Sequence, residues 1–67
     1  SAHGGMTIAA KVEVLRRELG LEGTMAEVVG MATRELGIAE EVNGAPLARK
    51  VDAALAALRG NPALNRA

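Results

Sequence analysis

Residues 7–21 read TIAAKVEVLRRELGL and residues 24–38 read TMAEVVGMATRELGI, one design met twice at an offset of 17 residues. In the first copy Ile8, Val12, Leu15 and Leu19 recur at i, i+4, i+7 and i+11. That spacing draws one stripe along an α-helix of 3.6 residues per turn. Lys11, Glu13, Arg16, Arg17 and Glu18 fill other faces. Thr7 stands where a hydroxyl can cap the first turn, and Gly20 where a left-handed residue closes the last.

The second copy repeats this grammar. Met25, Val28, Val29, Ala32 and Leu36 form its stripe, and Thr24 with Glu27 makes a Thr-x-x-Glu capping box. Thr7 superposes on Thr24, Ile8 on Met25, Val12 on Val29, and Arg17-Glu18-Leu19-Gly20-Leu21 on Arg34-Glu35-Leu36-Gly37-Ile38. Leu21 and Ile38 take the place after the closing glycine, where an apolar side chain folds back onto the last turn. A period of 17 is too short for the usual helix-pair solenoids, which repeat every 33 to 47 residues or so. Two similar helices of one bundle are the simpler reading.

Outward from this pair, Asn43-Gly44 marks a turn and Pro46 suits the first turn of a third helix. Leu47, Val51, Ala54, Leu55 and Leu58 share one side of it, and Gly60 with Asn61-Pro62 ends it. Ala48, Ala53, Ala56 and Ala57 raise its intrinsic helicity. The fold expected is therefore all-α: a three-helix bundle with helices over about 7–19, 24–36 and 46–59, and room for one further helical turn at 39–42. Residues 1–6 read as a flexible lead-in or cloning remnant, 7–60 as one helical domain, and 61–67 as a frayed tail. Such ends suggest a segment cut from a longer protein.

Composition bounds what this bundle can be. Hydrophobic residues make up 49% of the 67, yet aromatics are 0% and Cys is absent. The core is then aliphatic, with no disulfide or thiolate metal site to support it. A core of this size supplies about 3 to 5 kcal/mol. Leu15 and Leu36 are both expected inside it, each at a cost of about 2 to 5 kcal/mol on truncation to Ala. No apolar run approaches the roughly 20 residues of a membrane span, and no signal peptide precedes the helices. An intracellular, reducing home is the default, although lack of Cys permits any compartment.

Eight Lys and Arg balance eight Asp and Glu, but unevenly along the chain. Residues 1–21 sum to +1, residues 22–44 to −4 and residues 45–67 to +3. The acidic middle reads either as a marked docking surface or as charge that the third helix neutralises by folding back on the second.

Chemistry is what the chain lacks. His3, Asp52 and Ser1 are the single examples of their kinds, so no Ser/His/Asp or Cys/His arrangement can be assembled. Glu40 and Glu41 are neighbours that point apart, Gly4-Gly5 and Gly20-x-x-Gly23 lack the context of a phosphate loop, and His3 alone makes no metal site. The expectation is a protein that is not an enzyme and needs no cofactor, metal or small-molecule substrate.

Residues 7–36 can also be read as a helix-turn-helix with the second helix as reader of nucleic acid. Its exposed positions would then be Glu27, Gly30, Thr33, Arg34 and Glu35, one cation against two anions. Without aromatics, base stacking is missing too, and so are the aromatic anchors and Lys-rich face of a membrane-surface helix. Small helical docking domains are similar in outline only, and outline does not transmit function.

A protein-docking module remains. Val14 and Met31 are the apolar residues off the two stripes, at equivalent places in the 17-residue match. With Gly30 they make a candidate aliphatic and Met surface for another protein or for self-association, while Met25 reads as core. A structural homo-oligomerisation domain is the alternative of another kind.

Overall fold

A computed structural model describes residues 5–60, so the expectations for residues 1–4 and 61–67 fall outside the described residues. Three helices follow one another: α1 (Ile8–Leu19), α2 (Met25–Glu35) and α3 (Leu47–Gly60). Each packs against the other two, and no strand occurs among the described residues. The bundle expected from the stripes is the bundle formed.

The two copies also share a threonine cap at the start and a backward bond at the end. Thr7 Oγ1 accepts from the Ala10 N–H at 3.0 Å, and 17 residues on Thr24 Oγ1 accepts from the Glu27 N–H at 3.1 Å. The Leu21 N–H donates to the Arg16 carbonyl at 3.0 Å, as the Ile38 N–H does to the Thr33 carbonyl at 2.8 Å. That backward bond needs a left-handed residue just before its donor, and Gly20 (φ 66°) and Gly37 (φ 75°) supply it. The copies differ at the third helical position, where Glu27 returns its carboxylate to the Thr24 N–H at 2.8 Å and Ala10 has nothing to return. The capping box therefore belongs to α2 alone.

The interior is Val12, Leu15, Val28, Val29, Ala32, Val51, Ala54, Leu55 and Leu58. Ile8, Val14, Leu19, Leu21, Leu36, Ile38 and Leu47 are half-buried against it. Leu15 is the largest side chain fully removed from water. No Phe, Tyr or Trp is present, and the small residues Ala32 and Ala54 are fully buried among the larger aliphatic side chains.

Three positions differ from what the pattern predicts. Met25, expected in the core, is the exposed large apolar residue of the described chain at 38%. It opens α2, and a helical side chain leans toward the N-terminus, so Met25 projects off the end of the bundle. Leu36 is only half-buried because it is the C-cap of α2 rather than part of its interior. Thr33, expected on an outer face, is buried at 4% and its hydroxyl donates to the Gly30 carbonyl at 2.8 Å. The helical turn expected at 39–42 forms as a single turn that does not grow into a helix. One helix-type bond joins the Val42 N–H to the Ile38 carbonyl at 3.2 Å, and the next, from Asn43 to Glu40 at 3.4 Å, is shorter in span and stops propagation. Val42 nevertheless tucks inside.

The third helix is shifted by one residue at each end from the expected 46–59. The Pro46 carbonyl accepts from the Arg49 and Lys50 N–H groups, both at 3.0 Å, which places Pro46 just outside the helix that it starts. Gly60 is still helical.

Candidate functional site

The connection between α1 and α2 is the five residues 20–24. Arg16 donates through Nη2 to the Gly23 carbonyl at 2.8 Å and pairs through Nη1 with Glu13 on its own helix. Leu21, fixed by its backward bond to Arg16, lies half-buried at the surface beside α2. Together with Met31, Arg34 and Glu35 it lines an open, shallow depression of about 370 Å³. Two apolar side chains thus share a hollow with a cation and an anion.

Of the residues singled out from the sequence, Met31 is in this hollow and half-buried. Gly30 adjoins it in the middle of α2, half-buried, with the Arg34 guanidinium 3.6 Å from where a Cβ would stand. Val14 is half-buried and packs against the core, and it is not among the residues that line the hollow. The structural match of the two copies thus extends to Val14 and Met31 as half-buried off-stripe residues, but the hollow itself joins Met31 to Leu21. Leu21 was legible as the residue that folds back on α1; that the same folding sets it beside α2 follows only from the packing. Arg34 and Glu35 were legible as exposed residues of α2.

Two ion pairs occur among the described residues: Lys11 with Asp52, and Arg16 with Glu13. Neither joins α3 to α2 or to the acidic connection after it. Neutralisation of the acidic middle by the third helix, one of the two readings of the charge pattern, has no ion pair behind it among the described residues. Glu22, Glu35, Glu40 and Glu41 stay exposed, while Glu27 is occupied with its own helix cap.

The face required of a nucleic-acid reader is altered by the same observations. Thr33 is buried and Glu27 is turned back to the Thr24 backbone, which leaves Arg34 and Glu35 as the exposed charges of the last turn of α2. No group of three or more His, Cys, Asp or Glu that could hold a metal ion occurs among the described residues. No helix among them is long and apolar enough to cross a membrane. Every buried side-chain polar atom among them has a hydrogen-bond partner.

The architecture is that of a small three-helix bundle with an open hollow, lined by two apolar and two charged residues, where the α1–α2 connection meets the second helix. Compared with protein-family models, with characterised proteins and with solved structures, the chain matches none.

Proposed function

We propose that this bundle is a protein-docking module whose second helix receives one apolar side chain of a partner helix in the Leu21–Met31 hollow. The observation that carries the reading is the hollow itself, lined by the apolar Leu21 and Met31 together with the charged Arg34 and Glu35. Protein interfaces share this anatomy of apolar centre and polar rim. The Met31 thioether is flexible and polarisable, so it adapts to the shape of an inserted side chain. Gly30 beside it has no side chain, which lets a partner backbone come close to α2. No Trp or Tyr is present to act as an anchor, so the affinity is modest, with a dissociation constant of about 10 μM to 1 mM.

The test is a backbone NMR titration with an amphipathic helical peptide of Leu and Gln, whose polar face carries no charge. Shifts that saturate and cluster at Leu21, Gly30, Met31, Arg34 and Glu35 support the reading. Absence of shifts at millimolar peptide removes it. Sedimentation of the chain alone separates the homo-oligomer: a monomer that binds peptide is a docking module, whereas a dimer that Met31→Glu dissociates uses the hollow on itself.

A further inference from the structure

We infer that the Met31 sulfur is an oxidation site, and that its conversion to the sulfoxide by hydrogen peroxide switches docking in the hollow off. This rests on the docking reading above and adds its regulation. The chain has three Met and no Cys, Trp or Tyr, so thioether sulfur is the target it offers a peroxide. None of the three belongs to the buried core cluster: Met25 is exposed at the start of α2, and Met6 and Met31 are half-buried. Met31 lines the open hollow, where a molecule as small as hydrogen peroxide reaches it.

In this step a sulfur lone pair attacks one peroxide oxygen, the sulfur–oxygen bond forms, the oxygen–oxygen bond breaks, and the second oxygen leaves as water with both protons. Sulfur is oxidised and the peroxide reduced. The product carries a polar oxygen that accepts hydrogen bonds, where the thioether was apolar. Arg34 stands at i+3 from Met31 on the same side of α2 and lines the same hollow. Its Nη1 reaches back to 3.6 Å from where a Cβ on Gly30 would stand, so a cationic donor lies beside the new acceptor. An apolar side chain entering the hollow then meets a hydrated dipole, and stripping that dipole of water costs binding. The core cluster holds no sulfur, so the bundle itself stays folded in either state. Reduction by a methionine sulfoxide reductase restores the thioether.

The full chain carrying Met6→Leu and Met25→Leu keeps Met31 as its single thioether and tests this. Treated with hydrogen peroxide while folded, it should gain one oxygen by mass spectrometry, at a rate within about tenfold of free methionine. NMR titration with the Leu/Gln peptide should then give an affinity about tenfold or more below that of the untreated chain, with the dispersed spectrum kept. Adding Met31→Leu should make the affinity indifferent to peroxide. A sulfur that resists peroxide, an oxidised chain that binds as tightly as the reduced one, or an oxidised chain that loses its dispersed spectrum would each overturn control through Met31. Loss of affinity in the chain with Met31→Leu would do the same. In all four cases a reduced chain that binds the peptide leaves docking standing, whereas a reduced chain that does not bind overturns docking and its control together.

Discussion

Lys11 Nζ and Asp52 Oδ1 lie 2.8 Å apart and tie α1 to α3 across 41 positions of chain. The lysine side chain is mostly covered, at 16% exposure, while the aspartate is open at 54%, so water screens one half of the pair. An ion pair of this kind contributes about 0.5 kcal/mol. Asp52→Asn should lower the thermal midpoint by about 2 to 4 °C at low salt, and by less in 1 M NaCl. A loss of 10 °C, or one indifferent to salt, would show that the pair organises the α1–α3 contact rather than decorating it.

Leu15 and Leu36 separate two depths that share one stripe pattern. Leu15 is fully buried, so Leu15→Ala should cost about 2 to 5 kcal/mol, comparable with the whole stability of a core this small. Loss of the cooperative thermal transition by circular dichroism is the outcome expected. Leu36→Ala removes a half-buried cap residue, costs about 1 to 2 kcal/mol and leaves a cooperative fold with a lower midpoint. Equal effects of the two would misplace the centre of the core.

Gly20 and Gly37 hold matching left-handed conformations, and a Cβ on either meets nothing within 4 Å. Replacement by Ala therefore costs backbone strain alone, about 1 to 2 kcal/mol at each site. The two variants should unfold at similar urea midpoints. A tenfold difference in unfolding equilibrium between them would mean that the two closures, which share the backward bond of the following residue, are unlike in energy.

Gly30 is the converse case. It sits mid-helix with ordinary φ, and a Cβ there would meet only the Arg34 guanidinium at 3.6 Å, an ordinary contact. Gly30→Ala should stabilise the bundle by about 0.5 to 1 kcal/mol. If glycine is there for a partner's approach, the same variant binds the Leu/Gln peptide more weakly while unfolding at higher temperature. A variant that is more stable and binds as well would leave Gly30 out of the surface.

The helices were legible because caps, stripes and stops agreed locally. Thr7, Thr24, Gly20 and Gly37 each do what their position in the pattern implies. What periodicity does not carry is distance from the helix end. Met25 continues the stripe of Val29, Ala32 and Leu36 on a helical wheel, yet as the first helical residue it projects past the core. Thr33 falls beside that stripe and is buried, its hydroxyl satisfied within its own helix by the Gly30 carbonyl, so a polar residue enters the interior that an apolar stripe does not mark. The hollow was half legible: Met31 by its position off the stripe, but Leu21 only through packing, since no pattern along the chain brings residues 21 and 31 together.

Titration of folded Met31→Glu with the Leu/Gln peptide bears most directly on the claim that α2 carries the docking surface. Met31 is half-buried in an open hollow and outside the core cluster, so the variant should keep the dispersed NMR spectrum of the parent. A charge on the floor of the hollow should at the same time weaken peptide binding at least tenfold, because an apolar side chain can no longer enter without burying it. A folded Met31→Glu variant that binds the peptide as tightly as the parent would contradict the account.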